Sequence, residues 1–294
     1  MIKMLLTGGL GNQMFQYAFG KALALKNNTE LILSTSYLQS KLPFKKWSTP
    51  MQYELGIFNF RANLETNIFS NNLYPIAKLE HLIREKINDS RLNIVQETQF
   101  SFQPELLNAT DNSFVKGNFQ SEKYFKSVES VIRSEFKFTK QLDLENLIWK
   151  NEILDSNSVS IHIRRGDYIA LKQNAAKFAQ IPLSYYQDAM IYINQNVKSP
   201  VFFVFSDDIN WVKENLKTDF PIHFVENNNT IETSSFDMQL MSFCKHNIIC
   251  NSTFSWWSAW LNNNPQKIVI APQNWFADLS INSQDIIPDE WIKL

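Results

Sequence analysis

From Ser158 onward the chain alternates short apolar runs with segments whose apolar residues recur every three or four positions. The runs Val159–Ile163, Val201–Phe205, Ile222–Val225, Asn247–Cys250 and Ile268–Ile270 have the length of strands. Between them Pro182–Asn196, Asp208–Asn215, Ser235–Cys244 and Ser255–Leu261 read as helices, the first opening on a proline, which a helix tolerates at its start. Strand, helix, strand in this rhythm predicts a parallel sheet with helices on both faces.

The N-terminal half carries the same signals with more interruptions. Ile2–Leu6 reads as a strand, Asn12–Lys26 as a helix and Glu30–Leu33 as a second strand. Helices over Leu73–Asn88 and Glu122–Arg133, and strands over Leu92–Val95 and near Phe114–Val115, complete a less regular α/β domain. The stretch 139-TKQLDLENLIWKNEILDSNS-158 is polar at both ends and helical between, and reads as a bridge. A boundary near Ser156 then gives domains 1–156 and 157–294, a division that suits a chain of 294 residues.

Composition narrows the function. Lys and Arg total 28 against 29 Asp and Glu, a net charge of −1 without a basic run, which argues against a nucleic-acid partner. The apolar start Met1–Leu6 is cut short by Gly8, Gly9 and Gly11, too early for a signal-peptide core, and no stretch of about 18 apolar residues follows. Cys244 and Cys250 make neither a metal-ligand spacing nor a disulfide framework, which suits a reducing compartment, so a cytoplasmic location is expected.

Three of the predicted strands end in polar groups. In 158-SVSIHIRRGDYI-169 the period of two sets Val159, Ile161 and Ile163 on one face and Ser160, His162 and Arg164 on the other. Ligands of open α/β sheets sit beyond the carboxyl ends of the strands, where Arg164, Arg165 and Asp167 emerge and Gly166 permits close approach. Paired guanidiniums suit a diphosphate, since each offers forked donors and keeps its charge when partly desolvated. The plainer alternative is an ion pair between Asp167 and one arginine.

Asp207 and Asp208 follow the run Val201–Phe205 and suit a base or ribose contact, a helix N-cap or a metal pair. In 250-CNSTFSWWSAWL-261, Asn251, Ser252, Thr253 and Ser255 are residue types that cap a helix, and a helix start aims backbone N–H groups at an anion. Capping alone is the competing reading, and the tryptophans that follow read mainly as core. Taken together, the three strand ends imply a phosphate-containing ligand, a nucleotide.

The fourth feature is 7-TGGLGNQMFQYAFGKALA-24, a glycine loop between strand and helix. Met14 stands where the dinucleotide fingerprint needs a third glycine, and Phe15 and Ala22 rule out a P-loop. A tight strand-to-helix turn accounts for it equally well.

The set 9-GLGNQMFQYAFG-20, 162-HIRRGDY-168, 205-FSDD-208 and 251-NSTFSWWSAWL-261, supported by 117-GNFQSEKYF-125 and 182-PLSYYQDAM-190, resembles the α-1,2-fucosyltransferases of glycosyltransferase family 11. Asn118 departs from the aromatic residue expected there. The resemblance implies an α/β, GT-B-like fold, two Rossmann-like domains facing across a cleft, with an acceptor-side N-terminal domain and a GDP-fucose-binding C-terminal one. It implies metal-free, inverting transfer of L-fucose from GDP-β-L-fucose to the 2-hydroxyl of a terminal galactose, on an oligosaccharide or lipid-linked glycan such as a bacterial O-antigen or capsule. No cofactor is implied, and peripheral membrane contact stays open.

By the same resemblance Arg164 meets the β-phosphate with Arg165 in support, and His162 with Asp207 or Asp208 contacts the guanosine part. The turn Asn251, Ser252, Thr253, Phe254, Ser255 completes the phosphate cradle. Asn12, flanked by Gly11 and Gln13, approaches the reacting centre from the facing domain. Asp167 is the nearest motif carboxylate for a general base, with a salt-bridge role as competitor. The segment 37–58, with Trp47 and Tyr53, reads as the acceptor wall. The other readings are a GDP-sugar transferase of another linkage, such as α-1,6, and a nucleotide-binding module without turnover.

Overall fold

The computed structural model describes residues 1–38, 52–65, 92–165, 179–228, 230 and 233–294. The chain divides into two compact units, Met1–Thr139 with Asn282–Ile286 and Lys140–Ile281 with Ile287–Leu294. Each is built on a parallel sheet.

In the first unit β1 (Ile2–Leu5), β2 (Leu31–Ser34), β3 (Asn63–Glu65), β4 (Asn93–Gln96) and β5 (Ser113–Lys116) lie in the order β3-β2-β1-β5-β4. Helix α1 (Leu10–Lys26) makes the crossover from β1 to β2. It buries Met14, Phe15, Ala18, Phe19 and Leu23, and lies so close to the sheet at Gly20 that a Cβ there would stand 2.8 Å from Leu31 Cδ1. Phe19 packs on Phe119 and Tyr124 with ring centroids 4.5 and 4.8 Å away.

The helix expected over Glu122–Arg133 is broken. Two 3-10 turns, Glu122–Tyr124 and Lys126–Val128, precede a short α2 (Glu129–Glu135). Adjacent Tyr124 and Phe125 are both fully buried. An α-helix would turn neighbours about 100° apart, whereas the non-helical backbone at Phe125 (φ −133°) sends both inward. The helix expected at Leu73–Asn88 lies outside the described residues.

The second unit holds β6 (Asn157–Ile163), β7 (Pro200–Ser206), β8 (Ile222–Val225), β9 (His246–Ile248), β10 (Val269–Ala271) and β11 (Ile292–Lys293), ordered β11-β10-β9-β6-β7-β8. The five apolar runs read from the sequence are β6 to β10, within about two residues at each end. Largely exposed β3, Asn-Leu-Glu, and two-residue β11 carry no apolar run to mark them.

Central β6 is buried on both faces. On one, Val159, Ile161 and Ile163 pack with Tyr186, Ala189, Met190 and Ile193 of a helix Leu183–Asn196. On the other, Ser160 accepts a 2.7 Å hydrogen bond from Asn247 Nδ2, so its hydroxyl is satisfied without water.

The segment read as a bridge belongs to this unit. Helix α3 (Leu144–Asp155) buries Ile153 with Phe203, Phe205, Leu240 and Met241. Asn146 and Asn228 exchange hydrogen bonds of 2.7 and 3.1 Å, and Asn228 donates to Asp237 Oδ1 at 2.8 Å. The division therefore falls at Thr139–Lys140, before the helix, and not near Ser156. Amphipathic spacing marks a helix but not which core receives its face. No helix among the described residues is long and apolar enough to cross a membrane.

Burial raises the Asp237 carboxyl to about 7, against the hydrogen bond from Asn228. The folded state thus holds a proton that the unfolded chain has released, so stability falls as pH rises from 3.8 toward about 7. Asp237→Asn keeps the acceptor and is expected to flatten this component; urea midpoints across pH 4.5–7.5 measure it.

Candidate active site

In the second sheet, β7 lies on one side of β6 and β9 on the other, so successive connections leave in opposite directions. The junction of the paired strands β6 and β9 is the topological switch point, and the crevice beyond its carboxyl edge is where such sheets bind ligands. Arg164 and Arg165 leave β6 there, and Asn251–Ser255 follows β9 on the adjoining side.

His162 comes last but one in β6 and is 6% exposed. Its Nδ1 stands 3.2 Å from Cys250 Sγ, and its ring lies 5.7 Å from that of Phe254. Burial, helped by the Arg164 cation, lowers its pKa to about 3, so the imidazole is neutral. The Cys250 thiol is pushed up to about 12, chiefly by burial.

The two arginines are held differently. Arg165 stacks its guanidinium carbon 3.2 Å from the Trp211 ring centroid, and its Nε reaches Asp208 Oδ2 at 3.4 Å. Its backbone N–H donates to Asp207 Oδ1 at 2.8 Å. Arg164 Nε approaches Asp207 Oδ2 at 3.9 Å, with both side chains about one-third exposed. The Arg164 side chain is the more exposed of the two, 32% against 24%, and Arg165 is fixed against its own domain. Asp208 also caps the helix Ile209–Asn215 through Trp211 N–H, 3.4 Å away.

The helix Thr253–Leu261 starts beside His162. Ser252 Oγ accepts from Phe254 N–H at 3.3 Å, and the helix start aims its remaining N–H groups and partial positive charge at this edge. Trp256, Trp257 and Trp260 are all buried, packed on one another and on Trp291, so all three are core.

The first unit has its own switch point between β1 and β5. Gly8 has φ +75°, and a Cβ there would meet Asn12 Nδ2 at 2.2 Å. Gln120 Nε2 donates to Asn12 Oδ1 at 2.8 Å. Gln16 accepts from Thr7 N–H and donates to Thr7 Oγ1 and the Gly117 carbonyl. Glu97 accepts the N–H groups of Asn118 and Phe119 at 2.7 and 3.0 Å, and burial raises its pKa. The unusual Asn118 thus contributes its backbone to this turn.

The family model described as glycosyl transferase family 11 matches residues 1–294. The chain belongs to glycosyl transferase family 11. It is 36% identical to the O-antigen biosynthesis glycosyltransferase WbnK of Escherichia coli, covering 98% of this chain and 99% of the relative. It is 34% identical to an Escherichia coli alpha-1,2-colitosyltransferase over 98% and 97% of the two chains. A rat galactoside alpha-(1,2)-fucosyltransferase 1 matches at 26% over 86% of this chain and 61% of that one. Among solved structures, an Arabidopsis thaliana FUT1 mutant in complex with GDP aligns with TM-score 0.51 at 11% identity, over 93% of this chain and 71% of the other. The GT-B-like character of the fold agrees with this likeness.

Several residues expected to bind the donor in this family 11 glycosyltransferase spend their side chains on the protein. Buried Asn251 donates to the carbonyls of Ala179 and Trp275 at 2.8 and 2.9 Å. Ser255 Oγ, also buried, donates to the Ser252 carbonyl at 3.2 Å. Gln13 donates to the Gly8 and Gln52 carbonyls and accepts from Glu54 N–H, which saturates its amide. Gly11 is buried inside α1. Polar residue type at a strand end does not distinguish a ligand contact from a structural clamp.

Asp167 and Trp47 lie outside the described residues; Tyr53, in the described part of 37–58, has its hydroxyl pKa raised by burial. The sequence reading missed Cys250, Trp211, Gln16 and Glu97. Gln13 and Gln16, three apart beside a glycine loop, were the one available signal, since that spacing faces two amides to one side.

Gly8→Ala requires a Cβ in the left-handed region on top of the Asn12 amide. A loss of roughly 1–2 kcal/mol is expected from the backbone alone. Chemical denaturation measures it, and a displaced Asn12 should lower turnover as well.

Proposed function

We propose that the chain is an inverting α-1,2-fucosyltransferase that moves L-fucose from GDP-β-L-fucose to the 2-hydroxyl of a terminal galactose without a metal ion. The observation that carries the donor part is the meeting of His162, Arg164 and the start of the helix Thr253–Leu261 at one switch point. The α-1,2 linkage rests on the names of the relatives.

Breaking the bond between sugar and diphosphate leaves an oxocarbenium-like sugar and a growing negative charge on the leaving group. Donors already in place bind that charge more strongly in the transition state than in the ground state. Arg164 takes the β-phosphate, helped by the first-turn N–H groups of the helix. Arg165, held by Trp211 and Asp207, fixes the turn that presents Arg164. The acceptor hydroxyl gives its proton to a carboxylate, for which Asp167 is the candidate. A guanidinium at the departing phosphate supplies the positive charge that a metal ion would otherwise bring.

A relative that is 34% identical transfers colitose by its name, which favours a second reading in which the sugar donor is GDP-colitose. Supplying each GDP-sugar with galactose-terminated acceptors and analysing the product linkage separates these readings; an α-1,6 product would overturn both.

Arg164→Ala is expected to keep the fold and lower kcat/KM by a factor of about 10² or more, since a charge-assisted contact is lost at the departing phosphate. Near wild-type turnover would refute the clamp. Activity should survive a chelator; a loss restored by Mg²⁺ or Mn²⁺ would make Asp207 and Asp208 metal ligands.

A further inference from the structure

His162 is nine-tenths buried, yet only one of its ring nitrogens has a partner. Nδ1 faces Cys250 Sγ at 3.2 Å, and Nε2 makes no hydrogen bond among the described residues. A buried polar atom without a partner calls for an explanation, and a ligand is one of the few. Which ring nitrogen carries the proton depends on what the other one meets.

Cys250 decides that question. It is 1% exposed, and burial keeps it a thiol. A thiol has one proton to give and is a weak acceptor, whereas a bare imidazole nitrogen is a good one. Among the described residues the Arg164 backbone N–H donates to Sγ, and Ser255 Oγ, whose own proton goes to the Ser252 carbonyl, is the competing side-chain acceptor for the S–H, but at 3.7 Å it lies farther than Nδ1 at 3.2 Å and a hydroxyl is the weaker base. The S–H therefore points at Nδ1, and the ring proton resides on Nε2. We propose that Cys250 is a positioning residue that holds His162 as the neutral Nε2–H tautomer, leaving a buried donor beside Arg164 for an oxygen of the nucleoside diphosphate.

Chemically the arrangement suits an anion. The opposite tautomer would turn a lone pair toward the ligand's oxygens, and a charged imidazolium would have to be buried next to a guanidinium. The proposal rests on the donor-site reading above, and it adds a residue that makes no contact with the ligand itself.

The chain has four histidines, so ring nitrogens can be resolved by ¹⁵N-histidine NMR, with His162→Gln assigning the signal. At neutral pH His162 should show a protonated Nε2 and an unprotonated Nδ1, and GDP should shift the Nε2 signal. Cys250→Ala removes the S–H and should let both tautomers populate, weakening GDP binding roughly three- to tenfold. Cys250→Ser restores a donor and should recover most of the affinity. A His162 signal with the proton on Nδ1, or GDP affinity unchanged in Cys250→Ala, would overturn the proposal while the donor site stands. If GDP neither shifts a histidine signal nor raises the melting temperature of the wild type, the donor-site reading itself falls.

Discussion

A parallel strand covered on both faces can release its polar groups only at its ends. That constraint organises the second unit. β6 is buried along almost its whole length, with helices packed on one side and the Ser160–Asn247 hydrogen bond sealing the other. Its charge is confined to Arg164 and Arg165, at the edge where the direction of the crossover connections reverses. The connections that follow the paired strands β6 and β9 diverge beyond their carboxyl ends, and the helix after β9 begins at that point.

Around this edge the protein supplies its own counterions. Asp207 and Asp208 hold Arg165 and its backbone, and Trp211 takes the flat face of the guanidinium. Such contacts are individually modest where solvent reaches them. Their effect is geometric: one arginine is immobilised so that its neighbour emerges from a defined turn. A site that must meet a growing negative charge gains from donors placed before the reaction, because no reorganisation is then needed.

The first unit repeats the scheme with amides in place of guanidiniums. Gln13 and Gln16 tie the glycine loop to the segment Gln52–Glu54 and to the end of β5, and Glu97 takes the two N–H groups that follow β5. The glycines permit the approach and the glutamines hold it. Asn12, flanked by both devices, is held by the Gln120 amide.

Period and length were enough to read the larger elements. The apolar run at 201–205 reproduces β7 because a buried parallel strand is apolar nearly throughout, and alternation in 158-SVSIHI-163 and the run at 222–225 mark β6 and β8, the polar face of β6 being met by hydrogen bonds such as Asn247 to Ser160. The cluster of motifs likewise indicated the family, since together they span nearly the whole chain in order. What the sequence left undecided depends on contacts between distant segments. Whether α3 joins the first core or the second is settled by Ile153, Asn146 and Asn228 meeting in space. Asn251 and Gln13 donate to the carbonyls of Ala179, Trp275 and Gln52, which lie 24 to 72 residues away. The pairing of Cys250 with His162, 88 residues apart, has no local signal at all, because a hydrogen bond between strand ends is a property of sheet order rather than of either segment.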